Sequence, residues 1–160
     1  MNKAIFAAGC FWGVQFYFDQ VPGVSKTTVG YTGGHTENPT YEEVCTHTTG
    51  HAEAVLVEFD PAQMSYETLV HHFFRMHDPT QLNRQGPDIG DSYRSAIFFF
   101  DDDQRQIAEQ AKFEAEPKVD KAIVTQIAPA GGFYEAEAYH QKYAERTGQG
   151  MCHIPYAPIA

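Results

Sequence analysis

No segment of this 160-residue chain approaches the ~18–20 uninterrupted apolar residues of a membrane-spanning helix, so a soluble protein is expected. Cations are scarce as well. Eleven Lys and Arg stand against 21 Asp and Glu, for a formal net charge of −10. Contact with a phosphate backbone needs a basic stripe, so nucleic acid is not an expected partner. Cysteine occurs three times, as Cys10, Cys45 and Cys152, too few and too scattered for the disulfide framework of a small secreted domain. A reducing, cytoplasmic setting follows as the expectation.

Other absences narrow the chemistry. The chain has no C-x-x-C, which disfavours a thioredoxin-like oxidoreductase. Gly30-Tyr31-Thr32-Gly33-Gly34 is not followed by the Lys-Ser/Thr of a P-loop. The apolar run before Cys10, Ala4 to Ala8, is shorter than the roughly 7–15 residues of a lipoprotein leader. Eight histidines invite a metal reading, but Gly50 discourages a helix between His47 and His51, and His71, His72 and His77 offer no i, i+4 pair. No metal is expected. Without repeats, low-complexity blocks or a Pro/Gly/Ser linker, residues 1–160 read as one domain, large enough to bury a continuous core, and as a monomer.

Lys3 to Ala8 reads as a short buried strand, after which Phe11, Val14 and Phe18 recur at helical spacing until Pro22-Gly23. Cys10 therefore sits at a strand-to-helix turn. Further strands are expected at Thr27–Tyr31, Ala54–Phe59, Ser95–Phe100 and Ile123–Ile127. Helices are expected from Ser65 to His77, Asp101 to Ala115 and Glu135 to Arg146, with Ser65 as a cap and Asp101 to Asp103 placing negative charge at a helix start. This alternation predicts an α+β fold, a two-layer sandwich of a mixed β-sheet with helices packed on it, here a ferredoxin-like core with long loops. Thr32–Gly50 and Asp78–Asp91 are the long irregular connections, where a site is expected.

A thiol reacts as thiolate, and an ordinary cysteine, with a pKa of about 8.5, is only a few per cent ionised at neutral pH. The free N–H groups and dipole of a helix N-terminus stabilise the anion at Cys10, whereas the net charge of −10 acts over distances screened beyond about 8 Å. The local effect is expected to win. Placement alone still leaves two readings of Cys10 open, a buried structural thiol and a nucleophile.

Gly9-Cys10-Phe11-Trp12-Gly13 resembles the signature of the peptide methionine sulfoxide reductase A family, which reduces the S epimer of methionine sulfoxide. Gly30-Tyr31-Thr32-Gly33-Gly34, Asn38-Pro39-Thr40-Tyr41-Glu42-Glu43-Val44, Gly50-His51-Ala52-Glu53-Ala54, Tyr93-Arg94-Ser95-Ala96 and Tyr139-His140-Gln141-Lys142-Tyr143 are similar to further family blocks, in family order. By this resemblance Cys10 attacks the sulfoxide sulfur, releases methionine and is left as a sulfenic acid. Phe11 and Trp12 line the methyl pocket, and Gly9 and His140 join them as substrate-binding residues. Tyr41, Glu53 and Tyr93 hold the sulfoxide oxygen, with Glu53 as proton donor and Asp88 as an assisting acid, although Pro87 stands where the family usually has Asn. Cys152 is implied as the resolving cysteine, closing a disulfide with Cys10 that thioredoxin reduces, with no cofactor beyond that dithiol. The substrate is free methionine sulfoxide or an oxidised protein.

The residue types suit that chemistry. The sulfoxide oxygen gains charge as sulfur is attacked and needs donors in place, the methyl group needs an apolar slot, and a carboxyl set among aromatics keeps its proton. Cys45 has no part in the scheme, and a half-buried packing role is expected for it. Two rival readings are a Cys–His thiol hydrolase using His51 or His140 as base, and a module that binds a methionine-like side chain at Phe11-Trp12 without chemistry.

Overall fold

The computed structural model describes residues 1–150 and 153–159. Its strands are β1 (Asn2–Ala8), β2 (Val24–Thr32), β3 (Ala52–Phe59), β4 (Arg84–Gln85), β5 (Asp88–Ile89), β6 (Ser95–Phe99), β7 (Gln126–Pro129) and β8 (Phe133–Glu135). The helices are α1 (Phe11–Phe18), α2 (Tyr41–Cys45), α3 (Tyr66–Met76), α4 (Asp102–Ala115) and α5 (Tyr143–Thr147). Six strands form one sheet in the order β7-β6-β1-β3-β2-β8, while β4 and β5 make a separate hairpin. Only the β6–β7 pair is parallel, so the sheet is mixed and the fold is α+β. None of the described helices is long and apolar enough to cross a membrane.

β1 is central because it is apolar on both sides, as a strand covered on both faces must be. Ala4, Phe6 and Ala8 join the cluster formed with α1, α3 and α4, whereas Ile5 and Ala7 join Ala52, Ala54, Ala96 and Phe98 on the opposite face. Phe6 stacks on Phe18 at 5.1 Å, Phe73 at 5.5 Å and Tyr66 at 6.1 Å, which ties the strand to both helices. Side chains alternate along β3, so Val55, Val57 and Phe59 point into this helical layer. Glu53 continues the same row.

The expected helix starts are found. Ser65 Oγ accepts the Thr68 N–H at 3.1 Å, and Asp101 Oδ1 accepts that of Gln104 at 2.8 Å. The irregular stretches contain more order than the sequence pattern shows. Thr40 and Glu43 form a capping box that opens α2 inside Thr32–Gly50, and the β4–β5 hairpin lies inside Asp78–Asp91.

Two expected elements are corrected. The strand placed at Ile123–Ile127 begins at Gln126, because the Val124 N–H donates to Pro79 O at 2.8 Å and the Thr125 hydroxyl pairs with Ser95 Oγ at 2.8 Å. The helix placed at Glu135–Arg146 is instead β8, a 3-10 turn at Ala138–His140 and the short α5. Lys142 interrupts it at φ 58°, held by its Nζ on both Asp19 carboxylate oxygens at 2.8 and 2.7 Å. Next to it, Gln141 behaves like a piece of strand: its Oε1 accepts the Val29 N–H at 3.0 Å and its Nε2 donates to Val29 O at 3.0 Å and Ala136 O at 3.1 Å. Long-range bonds to β2 replace the helical ones.

Gln141→Ala leaves the Val29 N–H without its partner, while Val29 O keeps the Ala136 N–H at 2.9 Å, and the expected cost is about 2 kcal/mol. Urea unfolding should show a lower midpoint with an unchanged m-value. An unchanged midpoint would show that water replaces the side chain at no cost.

Candidate active site

The site is built around the turn from β1 to α1. Gly9 adopts φ +93°, and a Cβ there would meet Gln85 Cβ at 2.8 Å, so both backbone and space call for glycine. Cys10 is the N-cap of α1, and the Trp12 and Gly13 N–H groups favour its thiolate. Burial opposes them more strongly. Together with the charge of Glu53, and less so of Asp88, it pushes the Cys10 pKa well above that of an ordinary thiol. The helix end was weighed only against distant charge; in the folded chain burial, joined by Glu53 whenever that acid is ionised, outweighs the two backbone amides and favours the neutral thiol.

Glu53 is 2 % exposed, at the start of β3 opposite Tyr31 of β2. Its Oε1 accepts the Phe11 N–H at 3.2 Å, one of the amides that a helix leaves free at its start. Burial pushes its pKa up to about 8 against the opposing Phe11 bond, with Asp88 adding to the rise. At neutral pH it is a carboxylic acid with a proton to give.

Aromatic rings surround this acid and thiol. Phe11 is fully buried and stacks at 6.5 Å on Tyr41, with Tyr31 at 5.7 Å and His140 at 5.2 Å. Trp12 is half-buried; its ring stacks on Tyr143 at 3.9 Å and its Nε1–H donates to His140 Nδ1 at 3.0 Å. That bond makes Nδ1 the acceptor and leaves the proton of the neutral ring on Nε2. Burial lowers the His140 pKa, which keeps the ring neutral. Glu137 accepts the Tyr31 hydroxyl at 2.8 Å and the Tyr41 N–H at 3.0 Å, and so fixes the start of α2 against β2.

Tyr93 ends the 3-10 turn before β6, and burial together with the charges of Glu53, Cys45, Asp88 and Cys10 raises its hydroxyl pKa. Tyr41 is raised likewise, by burial and then by Glu53. Both hydroxyls therefore stay protonated as donors. Asp88 reaches the site on the β4–β5 hairpin, whose Gln85 amide bonds the Asp78 N–H at 3.0 Å and the Asp78 carbonyl at 2.9 Å. Gly86, at φ +58°, and Pro87 occupy the tip of that hairpin, where proline gives up no ladder bond.

The fold thus brings Gly9, Cys10, Phe11, Trp12, Tyr41, Glu53, Asp88, Tyr93 and His140 to one end of the sheet. Cys152 lies outside the described residues. Cys45, for which only packing was expected, is half-buried, and burial together with the charge of Glu53 raises its thiol pKa. Glu137 was missed because Glu135-Ala136-Glu137 looks like the solvated face of a helix. His51 does not serve Cys10: its Nδ1 accepts the Gly34 N–H at 3.0 Å and its Nε2 donates to Thr36 O at 2.7 Å. With His140 Nδ1 held by Trp12, neither histidine offers Cys10 a free lone pair, which removes the geometric basis of the hydrolase reading.

A thiol at a helix start, a buried protonated acid and an aromatic slot together suit reduction of a small polar S–O group carried on an apolar stem. The family model of peptide methionine sulfoxide reductase matches residues 2–160. The peptide methionine sulfoxide reductase MsrA of Methanothermobacter thermautotrophicus is 54% identical over 155 residues, covering 96% of this chain and 92% of that protein. Mxr1 of Saccharomyces cerevisiae in reduced form superposes with a TM-score of 0.89 at 35% identity, covering 93% of this chain and 87% of Mxr1. Mxr1 in complex with Trx2 superposes with a TM-score of 0.65 at 27% identity, covering 89% and 84%. A match over almost the whole chain, in sequence and in fold, agrees with the chemistry of the site: the chain belongs to the peptide methionine sulfoxide reductase family.

Proposed function

We propose that this protein reduces the S epimer of methionine sulfoxide, free or in oxidised proteins, through a Cys10 sulfenic acid and a Cys10–Cys152 disulfide that a thioredoxin reduces. The observation that carries this reading is the buried, protonated Glu53 bonded to the Phe11 N–H beside Cys10. Family membership and the relative seen with Trx2 support the thiol chemistry and the reductant. The chain acts as one domain, 1–160, in a cytoplasmic setting and needs no cofactor besides the dithiol. Its succession β1–α1–β2–β3–α3–β6, with strands in the order β6-β1-β3-β2, reads as a ferredoxin-like core in a two-layer sandwich.

In the first step the S-methyl group lies against Phe11 and Trp12, and the sulfoxide oxygen faces Glu53, Tyr41 and Tyr93. Glu53 protonates the oxygen, which makes the sulfur electrophilic, and the carboxylate it becomes is not left bare, because it accepts the hydrogen bond of the new S–OH group. The Cys10 S–H proton passes to the Glu53 carboxylate as the Cys10 sulfur takes the hydroxyl, the substrate S–O bond breaks, Cys10 is oxidised and the substrate sulfur reduced. Methionine and a sulfenic acid result. In the second step the Cys152 thiol displaces that hydroxyl as water and forms the disulfide, and thioredoxin's two thiols then restore both cysteines while becoming a disulfide themselves.

Glu53→Gln keeps shape and a donor but cannot deliver a proton, so methionine release in a single turnover should fall by about 10²–10⁴-fold. The pH profile carries the sign. As pH rises through about 8 the native carboxyl ionises, loses its function as acid and opposes the Cys10 thiolate, so release should decline above that pH. The glutamine variant should lack this limb. A loss of tenfold or less with the limb retained would instead assign polarisation of the oxygen to Tyr41 and Tyr93.

Cys152→Ser should release one methionine at the native rate yet fail to turn over with thioredoxin, while dithiothreitol, small enough to reach the Cys10 sulfenic acid, partly restores turnover. Full thioredoxin-driven turnover in this variant would make the C-terminal cysteine structural.

A further inference from the structure

The resolving step must join two cysteines far apart in the chain, and the side chain next to one of them bonds the turn that carries the other. His153 directly follows Cys152, and its Nε2 lies 2.6 Å from the carbonyl of Ala8, two residues before Cys10. A carbonyl can only accept, so Nε2 carries the proton. We propose that His153 is a positioning residue for disulfide formation, its Nε2–H bond to Ala8 O registering the Cys152 segment on the turn that carries Cys10. This rests on the reading of Cys152 as the resolving cysteine.

The surroundings are shaped for that contact. Gly13, in the first turn of α1, leaves room for the imidazole: a Cβ there would overlap His153 Nδ1 and meet Gly150 O at 2.9 Å. On the other flank of Met151-Cys152, Gly150 lies against Trp12, whose Cε3 would be 3.0 Å from a Cβ on that glycine. Beyond His153 the chain is tied down again. The Ile154 N–H donates to Met76 O at 3.0 Å, and Arg75 Nη2 donates to Ala157 O at 2.6 Å. Tyr156 stacks on His72 at 5.5 Å, and His72 Nδ1 bonds the Tyr17 hydroxyl at 2.7 Å. The segment that follows Cys152 is therefore anchored on α3 and α1, the helix that Cys10 opens.

Geometry explains why such an anchor matters. A disulfide needs Cα atoms about 4.4–6.8 Å apart and a narrow torsion. Holding the reactants near that geometry raises the effective concentration of one thiol at the other. With the His153 bond closed, the two cysteines are tethered one and two residues from a single contact. The step itself balances without an added oxidant: Cys152 gives up its S–H proton, its sulfur bonds the Cys10 sulfur, the Cys10 S–O bond breaks, and hydroxyl and proton leave as water.

His153→Phe keeps a ring and deletes the donor, whereas His153→Gln keeps a donor; His153→Ala, which only removes atoms, serves if phenylalanine is not accommodated. Rapid quench after one equivalent of methionine sulfoxide reads methionine release and free thiols separately, and dimedone captures the Cys10 sulfenic acid. Release should stay within about threefold of the native rate in each variant, while disulfide formation slows at least ~10-fold in the phenylalanine or alanine variant, sulfenic acid accumulates, and glutamine recovers most of the rate. Native-rate disulfide formation without the donor overturns the proposal. So does equal slowing of both steps, which marks a merely structural role. Cys152→Ser, run alongside, separates the premises: a disulfide to Cys10 or thioredoxin turnover in that variant refutes the resolving role itself, independently of His153.

Discussion

Glu53 is a carboxyl 2 % exposed in the row that continues Val55, Val57 and Phe59 into the helical layer, and among the described residues its one hydrogen bond is the Phe11 N–H. An ionised carboxylate in such a place is costly, so the group answers by holding its proton, with a pKa of about 8. The other properties of the site depend on this. A neutral acid can donate to an oxygen, and while neutral it exerts no repulsion on Cys10. The Cys10 thiol, raised by burial and by Glu53, is consequently coupled to the protonation of that acid. The bond to Phe11 also ties the start of α1, and so the Cys10 turn, to β3.

Keeping such a carboxyl dry needs a wall, and much of that wall comes from a segment with little regular structure. Between Ala136 and Tyr143 the chain gives Glu137 to Tyr31 and Tyr41, His140 to Trp12, Gln141 to Val29, and Lys142 to Asp19. Each bond satisfies a polar group at the rim of the sheet, and together they replace the helix that residue spacing alone favours. Strain is small, with Lys142 the one residue of this segment at positive φ. The arrangement also fixes the tautomer of His140, since Trp12 can only donate.

What the sequence determined by itself is the local grammar. The apolar runs of β1 and β3, the caps at Ser65 and Asp101, and the glycine before Cys10 all act within a few residues, so their elements appear close to where periodicity puts them. Glu53 was named by the resemblance and not by periodicity, and only the folded chain shows that it extends the inward-facing row of β3. The ordered blocks from Gly9 to Tyr143 carried the family, because separate motifs in one order are far more specific than any single residue.

Tertiary structure decided the rest, wherever the outcome depended on residues far apart in the chain. Spacing cannot show that Gln141 would pair with Val29, 112 positions away, or that Lys142 would bend the chain to reach Asp19. Nor could it show the sign of the shift on Cys10. A helix N-terminus is visible in sequence and lowers a thiol's pKa, but burial and the approach of Glu53 exist only in the folded chain, and in a medium that excludes water they outweigh two backbone amides.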